Sequence, residues 1–421
     1  MAAEVLSDTA IETVAWDHAD AVRLRADQQR EIDLRYAQPG MPSVTAGPDP
    51  RDQVDPSIVF ATLLLRVGGE PAGHAAMRDL SGRDDHQGGL HPEGTAEVKR
   101  VYVAPGFRGR GLSRTLMNAA EDAARAAGVR HLILESGLMQ PESLGLYLRL
   151  GYDPVEPFGV FADEPDSRCF GKWLVPAQSV PGGVPDGGAV GGGAADGGAV
   201  GGSVADGGVP DGGAVDGGAV AGAAAERLPA PSSGPEIREV PWGDPDAAAL
   251  RRGMWAFLRE LYPDLVRDVE ARGGYDAADA ERGRAACATF LATLDGRPVG
   301  CATLAAAQVG PAHLTMDPLI GYAGLAQSGA EPSADDPGGF EMRSVFVDPS
   351  ARRAGVAKAL VRQIEDAARR RGGLALYLAT GVRQPEALRL YVGAGYRPVL
   401  PFPPHDDPQN AELLFLGRKL A

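Results

Sequence analysis

The chain has little cysteine: Cys169, Cys287 and Cys301 are the only three in 421 residues. None belongs to a CxxC pair, and an odd number argues against a disulfide framework. Long apolar runs are missing as well. No stretch approaches the roughly 18–20 residues that span a bilayer, and the opening residues Met1–Asp8 lack the basic and apolar regions of a secretory signal. Positive charge is in deficit, with 41 Lys and Arg against 56 Asp and Glu, a formal net charge of −15. An acidic chain without a basic tail is poorly suited to nucleic acid. The seven histidines show no metal-ligating spacing such as HExxH, and His86 and His91 read as solvated residues of a Gly-rich loop. These absences point to a soluble cytoplasmic protein with no metal, nucleic-acid or membrane partner.

What is present is a repeat. The segment Glu97–Ser113 and the segment Glu341–Ala357 share one layout: an apolar strand, a Pro-containing turn, an Arg-x-x-Gly-x-small loop and a helix. The loops are Arg108-Gly109-Arg110-Gly111-Leu112-Ser113 and Arg352-Arg353-Ala354-Gly355-Val356-Ala357. Such a loop aims backbone N–H groups at one point at a helix N-terminus, which suits the pyrophosphate of a nucleotide-like cofactor. Neither loop ends in the Gly-Lys-Ser/Thr of a P-loop, which disfavours ATP or GTP chemistry. A duplicated loop implies a duplicated domain.

Composition divides the chain accordingly. Between Pro181 and Ala224 it is built almost wholly of Gly, Ala, Val, Asp and Pro, with no aromatic, Lys or Arg. Such a segment cannot bury enough apolar surface to offset its chain entropy, so residues 176–234 are expected to be a disordered Gly/Ala/Asp-rich linker between domains 1–175 and 235–421. The flanks align: Trp16 with Trp242, Tyr36 with Tyr262, Gly73 with Gly300, and from Glu97 onward at a constant offset of 244 residues through Phe158 and Phe402. The second copy carries extra residues between about Ala306 and Gly339, read as a loop.

Within the first copy the spacing predicts strands over Ile11–Ala15, Ile58–Val67, Ala72–Arg78, Glu97–Val103, His131–Ser136 and Arg168–Leu174. It predicts helices over Asp17–Tyr36 with Asp17 as cap, Gly109–Ala127, and Pro141–Leu150 with proline in its first turn. This is an α+β arrangement: a mixed, mostly antiparallel sheet with helices on both faces, occurring twice.

The Arg-x-x-Gly-x-Gly/Ala loop after a strand resembles motif A of the GNAT superfamily of N-acetyltransferases. Its company strengthens the resemblance: Leu134–Tyr147 followed by Gly151-Tyr152, and Leu378–Tyr391 followed by Gly395-Tyr396, are similar to the family's fifth strand, the helix after it and the Gly-Tyr ending. The resemblance is clear over Glu97–Leu174 and Glu341–Leu420. It implies two acyl-CoA N-acyltransferase folds in tandem, acetyl-CoA as acyl donor, and an amine of a small molecule or peptide as acceptor. Ser113 stands where the family prefers Gly or Ala, and Glu135 is replaced by Ala379 in the second copy.

The resemblance further implies that backbone N–H groups at Val101–Val103 and Val345–Val347 receive the thioester oxygen, and that Tyr147 and Tyr391 protonate the departing thiolate. A tyrosine on a helix is more often plain core. Glu97 and Glu341 are candidate general bases, or else solvated strand-end carboxylates. Arg108 and Arg352 contact phosphate or shape the turn. Tyr36 and Tyr262 face the acceptor or fill the core. Two rivals remain at this point: one catalytic copy with a supporting partner in an intrachain pseudo-dimer, and a non-catalytic acyl-CoA-sensing module.

Overall fold

The computed structural model describes residues 8–36, 53–174, 234–310, 313–314, 338–405 and 412–420. The expected linker lies almost entirely outside the described residues, as does most of the insertion expected between Ala306 and Gly339.

The first copy runs β1 (Thr9–Val14), α1 (Ala19–Tyr36), β2 (Val59–Val67), β3 (Glu70–Asp79), β4 (Thr95–Val103), α2 (Leu112–Ala126), β5 (His131–Gly137), α3 (Pro141–Arg149), β6 (Asp153–Pro154) and β7 (Ser167–Trp173). The second runs β8 (Glu236–Val240), α4 (Pro245–Leu261), α5 (Pro263–Ala271), α6 (Gly274–Ala285), β9 (Ala286–Leu294), β10 (Arg297–Ala306), β11 (Phe340–Val347), α7 (Val356–Arg370), β12 (Ala375–Gly381), α8 (Pro385–Gly393), β13 (Arg397–Pro398) and β14 (Leu413–Lys419). Each copy forms a seven-stranded sheet, ordered β1-β2-β3-β4-β5-β7-β6 and β8-β9-β10-β11-β12-β14-β13. Every pairing is antiparallel except β4 with β5 and β11 with β12.

The helices form where apolar residues recur on one stripe. Leu112, Leu116, Ala120 and Ala124 of α2, and Leu360, Ile364 and Ala368 of α7, recur every fourth residue and are buried against the sheets. Each buried Leu or Ile stabilises by about 1.5–3 kcal/mol. On the opposite face α1 seats Leu24 against Leu64 and Tyr102. Helix α1 begins at Ala19 rather than Asp17, and the side chain of His18, not that of Asp17, accepts from the Asp20 N–H at 3.3 Å. In the second copy Asp244 caps α4, accepting from the N–H groups of Asp246 and Ala247. Gly109, Arg110 and Gly111 precede α2 rather than opening it.

The copies touch. Arg168 of β7 donates from Nε to the carbonyl of Leu413 on β14 at 2.9 Å. Arg389 of α8 grips Asp153 of β6, and Arg383 pairs with Glu156 at 3.1 Å. Leu400 is buried in a cluster with Tyr36 and Met139.

Candidate active site

Strands β4 and β5 begin as neighbours and then part. Their parallel pairing covers only Thr95–His131, Ala96–Leu132 and Glu97–Ile133, although β4 continues to Val103 and β5 to Gly137. In the second copy β11 and β12 pair only at Phe340–Leu376 and Glu341–Tyr377. Each sheet therefore opens a wedge, and Glu97 and Glu341 stand at its apex as the last paired residues.

A bulge lies beside each wedge. The pairing of β3 with β4 slips between His74 and Ala76, and Arg100 takes a left-handed φ of 61°. The pairing of β10 with β11 slips between Cys301 and Thr303, with Ser344 at φ 52°. Bulges of this kind re-aim the backbone beside functional sites. Beyond the bulge the Ala104 N–H donates to Ala72 on the far side, and the Asp348 N–H donates to Val299. Strand alternation then turns the N–H groups of Val101, Val103, Val345 and Val347 toward the wedge. The Val101 carbonyl accepts from buried Gln28 of α1 at 3.0 Å.

Below the wedge lies the loop. Gly109 and Gly111 have φ of 77° and 78°, and Arg353 and Gly355 have φ of 68° and 79°. Gly111 and Gly355 are the N-cap residues of α2 and α7, and no side chain caps either helix. Among the described residues no side chain accepts from the opening turn of either helix, which stands at the positive end of the helix dipole. A Cβ at Gly109, Gly111 or Gly355 would meet nothing within 4 Å, so open space fronts each loop. A loop with an uncapped helix start, left-handed backbone and free space fits a pyrophosphate. Ser113 and Ala357 fall in the first turn of these helices, and Ala354 precedes the second cap.

The loop arginines have partners of their own. Arg108 donates to the Val103 carbonyl at 2.8 Å and to Glu31 of α1 at 2.6 Å. It is thereby tied to the turn and to α1. Arg110 donates to the Gly106 carbonyl, and Arg352 lies over the Phe257 ring.

Tyr147 and Tyr391 lie on α3 and α8, buried in the apolar core, each edge-on to the tyrosine of the Gly-Tyr ending, Tyr152 or Tyr396. Burial pushes both phenols well above their ordinary pKa, and for Tyr147 the charges of Glu135 and Glu142 add to it. Both are therefore neutral O–H donors at neutral pH.

Glu97 and Glu341 are not solvated strand ends. Both are 1% exposed. Glu97 accepts from Arg78 directly across β3 at 2.6 Å, with Lys99 at 3.6 Å. Glu341 faces Ala305 there, and takes its partners from Arg343 and His405 instead. Burial alone would raise the Glu341 pKa. The hydrogen bonds from His405 and Arg343, with the nearby positive charge of Arg343, outweigh it and hold the carboxyl below its usual range. Neither Arg78 nor His405 stood out in the sequence. Extending the 244-residue offset three residues past Phe158 would have set His405 against Phe161 and exposed the difference.

Tyr36 and Tyr262 close the open end of β5 and β12. A Cβ on Gly137 would lie 1.6 Å from the Tyr36 hydroxyl, and one on Gly381 would lie 1.9 Å from that of Tyr262. The Tyr262 hydroxyl accepts from the Arg383 N–H at 3.0 Å. Among the described residues no group of His, Cys, Asp and Glu is arranged to hold a metal, and no helix is long and apolar enough to cross a membrane.

The profile of the acetyltransferase (GNAT) family matches residues 29–152 and 254–396. Since this is more than half of the chain, and falls once in each copy, the protein belongs to the GNAT acetyltransferase family. The two sheets are two acyl-CoA N-acyltransferase folds in tandem. An IAA acetyltransferase of Azospirillum brasilense is 42% identical over 81 residues, which are 19% of this chain and 53% of that protein. A streptothricin acetyltransferase of Streptomyces lavendulae is 40% identical over 55 residues, 13% of this chain and 29% of that protein. The chain thus spans about half or less of the length of these relatives. A GNAT family acetyltransferase from Elizabethkingia anophelis, solved with acetyl-CoA bound, is 15% identical and covers 39% of this chain and 98% of its own, with a TM-score of 0.27.

Proposed function

We propose that this protein is an N-acetyltransferase that moves an acetyl group from acetyl-CoA directly to an amine of a small molecule or peptide. The observation that carries this reading is the wedge with an uncapped left-handed loop below it and a buried, protonated phenol on the following helix, present in both copies. The pyrophosphate is received by the N–H groups around Gly109–Ser113 and Arg353–Ala357. Val101 and Val103, or Val345 and Val347, offer N–H groups to the thioester oxygen as it gains charge. The amine nitrogen bonds to the thioester carbon and loses its proton to a base on the acceptor side, directly or through a water, where Glu97 and Glu341 are the candidate carboxylates. The C–S bond breaks and the thiolate takes the proton of Tyr147 or Tyr391.

In this reading residues 1–175 and 235–421 are two domains joined by the segment 176–234, and they dock as an intrachain pseudo-dimer. The contacts among Tyr36, Met139 and Leu400 and between Glu156 and Arg383 support that docking. Calorimetric titration of the full chain with acetyl-CoA tests the proposal. Two sites are expected. One site would favour a catalytic copy with a supporting partner, and no binding would overturn the reading. Binding at two sites without acetylation of any amine would favour a sensing module.

A further inference from the structure

The two copies differ at and beside the apex of the wedge, where three substitutions lie together. In the first copy Glu97 faces Arg78 across the strands, the position matching His405 is Phe161, and β5 carries Glu135, which accepts from the Ser167 hydroxyl at 3.1 Å. In the second copy Arg78 has become Ala305, Phe161 has become His405, and Glu135 has become Ala379. The second copy has lost a carboxylate from its wedge wall and gained an imidazole at its apex. We infer that His405 is the general base of the second copy, with Glu341 as the residue that positions it, an assignment that rests on the acetyl-transfer reading above.

The geometry supplies the reason. His405 Nε2 lies 2.8 Å from Glu341 Oε1, and Glu341 is buried while 29% of the His405 side chain is exposed. Glu341 is held ionised by Arg343 and His405, so it can only accept. The Nε2 proton therefore belongs to this bond, and in the neutral ring the lone pair is on Nδ1. A buried carboxylate behind a half-exposed imidazole fixes both the tautomer and the ring orientation. The ring also stands edge-on to Phe402, which packs against Tyr377 and His313. The charged and titratable groups around it are Glu341 and Arg343 of β11, with Tyr377 and His313 behind Phe402; Tyr377 donates to the Gly310 carbonyl and His313 to that of Leu400. As the amine nitrogen bonds to the thioester carbon and the C–S bond breaks, the nitrogen's proton passes to Nδ1 and the thiolate leaves with the proton of Tyr391.

The test uses the full chain carrying Gly111→Val, which blocks the first loop so that the second copy is read alone. Acetyl-CoA binding is measured by calorimetry, and turnover by CoA thiol release with a panel of primary amines and dipeptides over pH 5–10. His405→Gln and His405→Phe, the latter restoring the first copy's residue, are expected to lower kcat at least about 100-fold. The KM for acetyl-CoA should stay unchanged and the acidic ionisation should vanish from kcat/KM. Glu341→Gln should move that ionisation to lower pH, a shift that a purely structural role would not produce. Unchanged kcat and pH profile in both His405 variants would overturn the assignment, whereas acetyl-CoA binding with no amine acetylated would bring down the acetyl-transfer reading itself. Absence of acetyl-CoA binding to the second copy would instead bring down the reading on which the assignment rests.

Discussion

Arg383 and Glu156 form an ion pair between the two copies at 3.1 Å, and it is the repeat-related counterpart of the contact between Met139 and Leu400. The 244-residue offset maps Met139 onto Arg383 and Glu156 onto Leu400. One contact of an isologous pair is thus apolar and the other charged. Both sit against the tyrosine that closes a wedge, Tyr36 or Tyr262.

The two contacts differ in strength. Glu156 is 69% exposed, so Glu156→Gln should change the stability of the full chain by less than about 1 kcal/mol. Leu400 is 1% exposed, and Leu400→Ala should cost about 2–5 kcal/mol. Denaturant unfolding of the two variants measures the contrast, and equal midpoints would refute it.

Gly111→Ala and Gly355→Ala should each weaken acetyl-CoA binding at one site and spare the other. The added Cβ meets no neighbour at either position. Its cost is the left-handed backbone, about 1–2 kcal/mol, which shifts the loop and the N–H groups it presents. Calorimetry should show one weakened and one unchanged site in each variant.

Tyr147→Phe and Tyr391→Phe should each lower the turnover of their own copy by about 100-fold or more, with little effect on the melting temperature, because only a hydroxyl leaves the apolar core. Acetylation rates unchanged in the double variant would remove the tyrosines from the mechanism.

Acid should destabilise the fold through His74. Arg25 donates to its Nε2, and the ring donates from Nδ1 to the Arg100 carbonyl at 3.1 Å, so it is buried neutral. Burial, with the nearby Arg25 and Arg100 charges, brings its pKa down to about 4 despite that bond. The unfolded chain takes up this proton near pH 6.5 and the folded chain near 4. In this window the unfolded state holds more protons, so stability is fully present above pH 6.5 and is lost as pH falls toward 4. The difference corresponds to about 3 kcal/mol. His74→Gln should flatten the slope of unfolding free energy against pH over this window. Cys301, which takes this place in the second copy and bonds the Ser344 carbonyl, carries no such liability.

Much of the architecture was legible because it is written in local periodicity. The stripe from Leu112 to Ala124, the successive strands Ile58–Val67 and Ala72–Arg78, and Pro141 at the start of a helix each announce an element from a few neighbouring residues. Boundaries moved by one to three residues, since the end of a strand depends on its neighbours. The loops at Arg108 and Arg352 were legible for the same reason: a left-handed N-cap calls for glycine, and Gly111 and Gly355 supply it.

The partners of Glu97 and Glu341 were not legible. Their distinguishing partners come from Arg78, 19 residues upstream, and His405, 64 residues downstream. The left-handed turns at Arg100 and Ser344 carry no glycine to mark them, and arise where β4 and β11 bulge against their neighbours. The sequence by itself determined two copies of one fold and one cofactor-type loop in each, because those features depend on contacts within a few residues. Only the tertiary structure decided which side chains meet at each wedge and how the copies lean on one another. Contacts across a sheet or between copies pair residues far apart in the chain, and only long-range packing fixes them.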